Sequence, residues 1–254
     1  MTGKKELQKA ERIFIADSGR KFYQKDPDKD LHTQYGYIRS EDIKNARPGD
    51  KLETNKGVGL FLVEPKFLDH YSKIKRLAQI IPLKDIGSII AGTGITRDSI
   101  VLDAGSGSGG LACFLASLVK KMYTYDIRDD HLEIIKKNKD YLGLSNLHIV
   151  KGDIYQKIKQ NNVDLIILDV PEPWKALNTA VDALKIGGYI VSYSPHIPQT
   201  VDFVNTVREY DNFLYIKTIE VNEREWEIDG RKVRPKTSRM GHSGFLSFAR
   251  LVSN

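Results

Sequence analysis

The sequence predicts an α/β fold built on a mostly parallel sheet, with a small β-rich domain in front of it. From residue 100 onward, short apolar segments alternate with stretches of helical periodicity, which is the pattern of βαβ units in a parallel sheet. The last two apolar segments, 213–221 and 243–251, are joined by a long polar stretch instead of a helix. We therefore expect these two segments to pair antiparallel and to finish the sheet.

The chain before residue 66 predicts the small β domain. Short β-branched or aromatic runs are separated there by turn-forming clusters. The expected strands are 12–16, 34–38 and 59–63. Residues 66–79 carry a pattern that predicts a helix. We accordingly divide the chain into a β-rich N-terminal domain (1–65), a helical connector (66–99) and a main domain (100–254).

The main domain contains apolar segments of strand length that alternate with segments of helical period. The expected strands are 100–104, 122–126, 147–150, 164–169 and 189–193. The expected helices are 109–120, 130–142 and 174–184. Together these elements predict a parallel sheet that is covered by helices on both faces.

Composition and charge narrow the class of protein. The 254 residues carry a formal net charge of +6, with 41% hydrophobic and 28% charged residues, as expected for a folded globular protein. A single cysteine, Cys113, excludes an internal disulfide and a multi-cysteine zinc site. We see no signal-peptide pattern and no apolar run of the ~20 residues that a membrane span needs, so we expect a cytoplasmic protein without membrane or metal. The charge is compatible with a nucleic-acid partner and equally with a lysine-rich surface.

A glycine-rich segment follows the first strand of the main domain and opens the next helix. It comprises residues 103–110, which read DAGSGSGG. Glycines at such a turn let the backbone approach a ligand closely, and the helix N-terminus offers free N–H groups. In this context the loop fits NAD, FAD or S-adenosylmethionine (SAM). A tight turn without a ligand is the alternative.

Two acidic residues at strand ends favour SAM among these cofactors. Asp126 closes the second strand, where a carboxylate can accept hydrogen bonds from ribose hydroxyls. Asp153 follows the third strand, where a carboxylate can accept from the amino group of an adenine ring. The pair is the arrangement of Rossmann-like SAM-dependent methyltransferases. Each acid taken alone fits a helix N-cap or a turn residue as well.

The fourth strand ends in an acid, two prolines and an aromatic residue, 169–174 (DVPEPW). Ligands of open α/β sheets bind beyond the carboxyl ends of the strands. A carboxylate at Asp169 can accept a hydrogen bond from the exocyclic amine of a flat base, and the loop can form a pocket wall. The alternative is a strand-ending turn with Trp174 in the core.

These segments resemble, in order along the chain, the motifs of the tRNA (adenine-N1)-methyltransferase family. The resemblance rests on the glycine-rich loop, on 169–174, on 224–226 (REW), on 234–235 (RP) and on 240–246 (MGHSGFL). The segment 79–87 (QIIPLKDIG) is similar to the family's segment before the SAM domain. The match runs from residue 60 to residue 252 and is less clear in the β-rich domain.

The resemblance implies a Rossmann-like class I SAM-dependent methyltransferase with a seven-stranded sheet, which methylates N1 of an adenine in the tRNA T-loop. The usual target is position 58, and archaeal-type members also modify 57. The resemblance further implies a homotetramer, with Asp169 as the central active-site acid. The residues implied for SAM binding are Gly105, Ser106, Gly107, Ser108, Gly109, Asp126, His131, Asp153 and Asp169. Those implied for substrate binding are Gln79, Asp85, Trp174, Arg234 and His242, with a place in the tetramer interface as the alternative for the last two.

The sequence departs from the family where an aromatic residue and a proline often stand. Pro82 and Leu83 occupy these positions, so another residue must stack on the target base if stacking occurs. Between the last two strands, basic side chains interleave with Trp226, a combination that suits phosphate contact and base stacking. These basic residues are Arg224, Arg231, Lys232, Arg234, Lys236 and Arg239. Acids lie among them, so a solvated charged loop is the alternative.

Three other functions are open to a chain of this kind. A SAM-dependent methyltransferase of a protein carboxylate or a small molecule needs neither the 169–174 loop nor the basic stretch. A non-catalytic tRNA-binding subunit is expected to have lost the glycine loop, Asp126 or Asp169, and all three are intact. An NAD-dependent dehydrogenase is disfavoured by Asp153 and by the closing antiparallel pair.

Overall fold

The computed structural model describes residues 8–77, 79–237 and 241–253. Its contacts divide the chain into two compact units, Met1–Ile74 and Lys75–Asn254. The sequence-based division has boundaries after residues 65 and 99, whereas the structure divides the chain once, within the expected connector. Throughout the described ranges, no helix combines the length and the apolar composition that crossing a membrane requires.

The first unit is a β structure around a small apolar core. Its elements are β1 (Arg12–Ala16), β2 (Lys21–Gln24), β3 (Leu31–Thr33), β4 (Gly36–Ile38), α1 (Ser40–Asn45), β5 (Lys51–Glu53), β6 (Gly59–Val63) and α2 (Phe67–Tyr71). Four strands form an antiparallel sheet in the order β2-β1-β6-β5, and β3 pairs with β4. Phe14 lies opposite Leu62 in this sheet, and both are buried. The expected N-terminal β domain is confirmed.

The second unit alternates strands and helices before it ends in strands. Its elements are α3 (Leu83–Thr93), β7 (Ile100–Ala104), α4 (Gly110–Ala116), β8 (Lys121–Asp126), α5 (Asp129–Leu142), β9 (Leu147–Lys151), β10 (Val163–Leu168), a 3₁₀ turn (Pro173–Ala176), α6 (Leu177–Ala183), β11 (Leu184–Ser194), α7 (Ile197–Glu209), β12 (Phe213–Glu220), β13 (Trp226–Asp229), β14 (Lys232–Pro235) and β15 (Phe245–Leu251).

Seven of these strands form one sheet in the order β12-β15-β11-β10-β7-β8-β9. The strands β7 to β11 are mutually parallel, and β15 runs antiparallel between β11 and β12. The predicted α/β class with an antiparallel pair at the end is confirmed. Because the strand order reverses between β7 and β10, a crevice opens beyond the carboxyl ends of these two neighbours.

The centre of the sheet is buried on both faces. In β10, the four residues from Leu165 to Leu168 are each 1% exposed or less. A continuous apolar run of this kind is what a strand between two helical layers requires. On one face α7 contributes the buried side chains of Phe203 and Val207 to the main core. The rigid centre of the sheet holds the strand ends that carry the acidic residues.

The helix expected over 66–79 is wrong beyond Tyr71. Only α2 forms there. In residues 75–77, the backbone N–H groups of Lys75 and Leu77 donate to side chains distant in sequence. The Lys75 N–H donates to Asn138 Oδ1 and the Leu77 N–H donates to Ser108 Oγ. These long-range hydrogen bonds replace the bonds of a helix, and a local sequence pattern does not reveal them.

In the main domain a helix and a β-hairpin went unpredicted, although the sequence carries signals for both. The helix α7 has a proline in its first turn and buries Thr200, Phe203, Val204 and Val207, which is a helical period. The hairpin β13–β14 turns at Gly230 and Arg231, and a glycine with positive φ at the first position of a two-residue loop is typical of β-hairpins. The polar stretch between the last two sheet strands is therefore a structured hairpin in its middle.

Candidate functional site

A cavity of about 520 Å³ lies where β7, β8, β9 and β10 end side by side. Parallel neighbours end at the same edge of a sheet, so residues far apart in sequence meet here. The sequence-predicted residues that line it are Gln79, Gly105, Ser106, Gly107, Asp126, His131, Asp153 and Asp169. The structure therefore brings together most of the expected cofactor residues and one expected substrate residue.

Gly105 lets the ends of two strands touch. Its φ is +86°, and a Cβ at this position would lie 1.9 Å from the carbonyl oxygen of Asp169. Beside it the Asp169 N–H donates to the Ala104 carbonyl at 2.9 Å, which continues the pairing of β7 with β10. Both the backbone angle and the lack of space require glycine here.

Asp126 joins the glycine loop to the start of α5. Its Oδ1 accepts from the Arg128 N–H at 2.9 Å, and its Oδ2 accepts from the Gly107 N–H at 3.1 Å. The same Oδ2 lies 2.9 Å from His131 Nδ1. Each carboxylate oxygen has two acceptor positions, so Asp126 can also accept from a ligand hydroxyl. The loop and α5 are thus held by the carboxylate that the sequence assigned to the ribose.

Asp153 and two tyrosines line the cavity beside β9. Asp153 Oδ1 accepts from the Tyr155 N–H at 2.9 Å. The hydroxyl of Tyr155 accepts from the Glu172 N–H at 3.0 Å and so connects this side to the 169–174 loop. Tyr125 ends the adjacent strand and also lines the cavity. Aromatic walls beside a carboxylate suit a flat heterocycle that carries an amino group.

Asp169 follows β10 directly and lines the cavity. Burial raises the pKa of its carboxyl group from 3.8 to about 7. Among the residues that the structure describes, none donates a hydrogen bond to this carboxylate. The loop behind it is held by Gln199 of α7, whose Nε2 donates to the carbonyls of Val170 at 2.9 Å and Pro171 at 2.8 Å. A partly buried acid that faces the cavity, on a loop held in place by Gln199, and that has no donor among the described residues is available to a ligand.

Asp103 is a second buried acid of the cavity, and sequence reasoning gave it no role. It is 2% exposed, and its Oδ2 accepts from Thr124 Oγ1 at 2.9 Å. Burial raises the pKa of Asp103 to about 7 against the opposing effect of that hydrogen bond, and the charges of Asp169 and Asp126 add to the rise. Two acids with raised pKa values in one cavity mark a functional site.

Two predicted cofactor residues, Ser108 and Gly109, do not line the cavity. Ser108 is 1% exposed, and its Oγ accepts from the Leu77 N–H at 2.7 Å. Gly109 packs against α5, since a Cβ there would meet Ile135 at 2.9 Å. The geometry favours a packing role for both residues over direct cofactor contact.

Asp85 lies in a buried network away from the cavity. Its Oδ2 accepts from Ser243 Oγ at 2.7 Å, and its Oδ1 lies 2.9 Å from Lys84 Nζ. Lys84 Nζ also donates to the Val221 carbonyl at 2.8 Å and to Ser243. The network ties α3 to the segments that follow β12 and precede β15. The predicted substrate contact of Asp85 would require this network to open.

Trp174 and Arg234 also lie outside the cavity lining. Trp174 is partly buried and packs against the main core. Arg234 lies on the hairpin, where its Nε donates to Glu227 at 2.7 Å. Lys232 donates to the same carboxylate, also at 2.7 Å. The charged face of the hairpin is therefore paired within itself, as the alternative of a solvated charged segment implies.

His242 bridges two segments next to the end of the sheet. Its Nδ1 lies 2.6 Å from Glu220 Oε1, and its Nε2 lies 2.9 Å from the Pro195 carbonyl. Both partners are acceptors, so the arrangement favours the doubly protonated ring. The hydrogen bond to Glu220, and then that to Pro195, raise the pKa of His242 above 6.5. His242 does not line the cavity, and its predicted substrate role stays a prediction.

Met240 of the matched segments and Arg239 of the basic stretch lie outside the described residues. Their expected contributions stay predictions. In the described part of the chain, no group of three or more histidine, cysteine, aspartate or glutamate side chains could hold a metal ion.

The residues present fit a positively charged cofactor that contains a nucleoside. Asp126 offers acceptors for ribose, and Asp153 lies beside two aromatic rings. The ionisable side chains that line the cavity include four acids, Asp103, Asp126, Asp153 and Asp169, and one arginine, Arg128. Arg128 is itself paired with Asp130 at 2.7 Å. An excess of carboxylates in a buried cavity attracts a sulfonium.

Comparison with known proteins agrees with this chemistry. The family model described as "tRNA methyltransferase complex GCD14 subunit" matches residues 69–237. The chain is 34% identical to the tRNA (adenine(57)-N(1)/adenine(58)-N(1))-methyltransferase TrmI of Methanocaldococcus jannaschii, with 95% of each protein covered. It is 30% identical to the tRNA (adenine(58)-N(1))-methyltransferase TrmI of Thermus thermophilus, with 85% of this chain and 86% of that protein covered.

A solved structure supports the fold. The SAM-dependent O-methyltransferase of Thermotoga maritima superimposes with a TM-score of 0.85 at 26% identity, covering 100% of this chain and 98% of that one. The expected methyltransferase fold is thereby confirmed. Since the family model spans more than half of the chain and the archaeal relative aligns over nearly all of it, this chain belongs to the tRNA (adenine-N1)-methyltransferase family.

Proposed function

We propose that this protein is an enzyme that transfers the methyl group of SAM to N1 of an adenine in the T-loop of tRNA. The observation that carries the proposal is the position of Asp169, a partly buried carboxyl group at the end of β10 that lines the cavity and accepts no hydrogen bond from any described residue. Family membership and the acid-rich cavity support it.

The chemistry asks mainly for positioning and charge stabilisation. N1 of neutral adenine has a lone pair, so no strong base is needed to create the nucleophile. When bound, SAM supplies an electrophilic methyl group on a sulfonium. The Asp169 carboxylate accepts from the exocyclic amine and stabilises the positive charge that develops on the ring. By fixing the amine it also aligns N1 with the methyl group.

The cavity admits a base only when that base leaves its tertiary pairing, because N1 lies on the Watson–Crick edge. Extrusion of a nucleotide costs a few kcal/mol, which contacts elsewhere on the RNA must offset. The archaeal relative is named for positions 57 and 58, and the Thermus relative for 58 alone. We propose position 58 as the target here, and the assay below tests for methylation at both 57 and 58. Because the proposed substrate is tRNA, we place the reaction in the cytoplasm.

The test is methylation of unmodified tRNA transcripts with labelled SAM, followed by nucleoside identification and mapping. We expect 1-methyladenosine in the T-loop. Asp169→Ala should lower the rate on the order of 10²–10³-fold, the usual effect of removing one such electrostatic group. Asp182→Ala, at a position on α6 that does not line the cavity, is the matched control and should leave the rate unchanged.

Two outcomes would contradict the proposal. SAM binding without any RNA methylation would favour a protein carboxylate or a small molecule as the substrate. Failure to bind SAM, with tRNA binding intact, would favour a non-catalytic subunit. Methylation that Asp169→Ala leaves unchanged would remove the role assigned to that residue.

We also propose a homotetramer, supported by the hairpin β13–β14. Its strands pair only with each other within the described residues. Cross-strand register puts Ile228 opposite Val233 and Trp226 opposite Pro235, so these residues share one face. Ile228 is 75% exposed, Val233 58% and Trp226 51%. A lone two-stranded hairpin is marginal in water, and burying this apolar face against another copy of the chain would stabilise it.

A further inference from the structure

We propose that Asn138 of α5 is a positioning residue for the cofactor cavity. It holds residues 75–77 against the glycine loop, and through them it places the part of the cavity wall made by Gln79, Ile80 and Ile81. Residues 75–77 and 79–82 are called the anchored segment below. The inference rests on the proposed function in taking SAM as the cofactor.

Asn138 lies on the buried stripe of α5, between Ile135 and Tyr141. It is 0% exposed. Asparagine is a weak helix former, and a buried amide without partners costs about 1–3 kcal/mol. If position 138 served only to pack the buried face of α5, an apolar residue there would be more stable. The presence of an amide therefore points to its hydrogen bonds.

Every polar atom of the Asn138 side chain bonds to backbone. Oδ1 accepts from the Lys75 N–H at 2.8 Å. Nδ2 donates to the Lys75 carbonyl and to the Ser108 carbonyl, both at 2.9 Å. The Asn138 side chain thus binds the backbone N–H and carbonyl of Lys75 and also the Ser108 carbonyl of the glycine loop.

Two further contacts continue the clamp toward the cavity. The Leu77 N–H donates to Ser108 Oγ at 2.7 Å, so the residue held by Asn138 is also bonded to the anchored segment. Ile80 packs on the first residue of α4, because a Cβ on Gly110 would lie 2.7 Å from Ile80 Cγ2. Ile80 itself and the following Ile81 line the cavity.

The anchored segment has no strand or helix bonds of its own before α3 begins at Leu83. Its position depends on side-chain bonds from elements distant in sequence. Without these hydrogen bonds, this part of the cavity wall becomes ordered only when the cofactor binds. The entropic cost of ordering it then weakens cofactor binding. The effect falls on SAM affinity, because Asn138 does not line the cavity and is remote from the reacting atoms.

The decisive variant is Asn138→Asp in the full chain. It preserves the size of the side chain and the acceptor for the Lys75 N–H, but it replaces both amide donors with a carboxylate oxygen facing two carbonyls. We expect the Kd for SAM to rise about tenfold or more, the equivalent of losing one or two hydrogen bonds. We expect kcat at saturating SAM to stay within about twofold of the wild type, since no interaction specific to the transition state is lost.

A second readout needs no cofactor and no activity. Trypsin cleaves after lysine and arginine, and the anchored segment offers Lys75 and Arg76. Release of the segment should speed cleavage at these two bonds, identified by mass spectrometry. Ser108→Ala, which removes the acceptor of the Leu77 N–H, should act in the same direction.

Asn146→Asp is the matched control. Asn146 Nδ2 also donates to two carbonyls, those of Ala116 at 2.8 Å and Val119 at 2.9 Å, but neither residue lines the cavity. Asn146 is partly exposed, so this variant should lose less stability than Asn138→Asp, and it should keep wild-type SAM affinity and wild-type cleavage at residues 75 and 76.

If Asn138→Asp matches Asn146→Asp in SAM affinity and in cleavage rate, the positioning role is overturned. A fall in kcat with unchanged SAM affinity would overturn it as well. A wrong proposed function would be seen in the wild type and not in the comparison of variants. The wild type would then bind SAM without methylating tRNA, or would not bind SAM at all. The cleavage comparison between the two variants still decides the role of Asn138 in either case.

Discussion

At the scale of single residues, the cavity places acidic side chains where water can least solvate their ionised forms. Asp103 and Asp169 come from adjacent strands, and burial raises the pKa of each to about 7. Both carboxyl groups therefore hold protons in the folded protein at pH values where an exposed carboxyl is ionised. A bound cation would favour the ionised forms, so cofactor affinity and protonation are linked at this site.

The raised pKa values predict how the stability of the free protein changes with pH. Between pH ~4 and ~7 the unfolded chain releases these protons while the folded protein retains them, so stability falls as pH rises through this window. Asp169→Asn has no proton to release. Relative to the wild type it should gain at least about 1 kcal/mol between pH 5 and pH 8, since one pKa unit corresponds to 1.36 kcal/mol. Urea unfolding at both pH values measures it, and a difference independent of pH would contradict it.

The buried pair of Lys84 and Asp85 supports a second residue-scale prediction. Their side chains are 9% and 0% exposed. Lys84→Met leaves the Asp85 carboxylate buried without its cation, and we expect a loss of about 3–5 kcal/mol. Lys185→Met removes a comparable contact to Asp164 at 2.7 Å, but those side chains are 42% and 29% exposed. Its cost should be about 0–1 kcal/mol. Equal costs in urea unfolding would show that burial of the first pair has no special effect.

At the scale of elements, the hairpin β13–β14 has two unlike faces. Glu227 binds Lys232 and Arg234 on one face, and Trp226, Ile228 and Val233 are exposed on the other. The charged pairs are satisfied within the hairpin, whereas the apolar side chains lack cover in the single chain. An element of this kind is stabilised by association, and tRNA contact through its paired cations would first have to break those pairs.

The hairpin therefore predicts the effect of polar substitutions on assembly. If the proposed tetramer forms through this face, the double variant Ile228→Ser, Val233→Ser should dissociate it at micromolar concentration, because each buried aliphatic side chain contributes about 1.5–3 kcal/mol per interface. Light scattering after size exclusion measures the mass. Leu118→Ser, which changes another exposed side chain (44%), is the control and should keep the tetramer. A wild-type monomer would contradict the assembly itself.

At the scale of the whole molecule, the cofactor site belongs to one of the two compact units. Every residue that lines the cavity lies between Gln79 and Pro171, within Lys75–Asn254. The unit has its own sheet and its own core. Binding of the cofactor should therefore depend on this unit alone.

A fragment of residues 75–254 tests this expectation. A compact unit with its own core can fold alone, so we expect the fragment to bind SAM with a Kd within about tenfold of that of the full chain. Calorimetry measures the affinity, and circular dichroism checks that the fragment is folded. A folded fragment without SAM affinity would show that the first unit contributes to the cofactor site.

The sequence by itself determined the strand alternation, the cofactor class and the acids at the strand ends. These features depend on local periodicity and on one topological rule, that parallel strands present their carboxyl ends at a common edge. Asp126, Asp153 and Asp169 could therefore be assigned to one site before any coordinates were known. The glycine turn at Gly230 and the period of α7 were readable in the same way and were missed.

Only the tertiary structure decided which polar side chains near the site face the cavity and which hold the protein together. Ser108 and Asp85 were assigned to ligands, yet their oxygens accept from Leu77, 31 residues away, and from Ser243, 158 residues away. Asn138 drew no attention, although it bonds to Lys75 across 63 residues. A hydrogen-bond partner so distant leaves no trace in a local pattern, because the pairing exists only after the chain has packed.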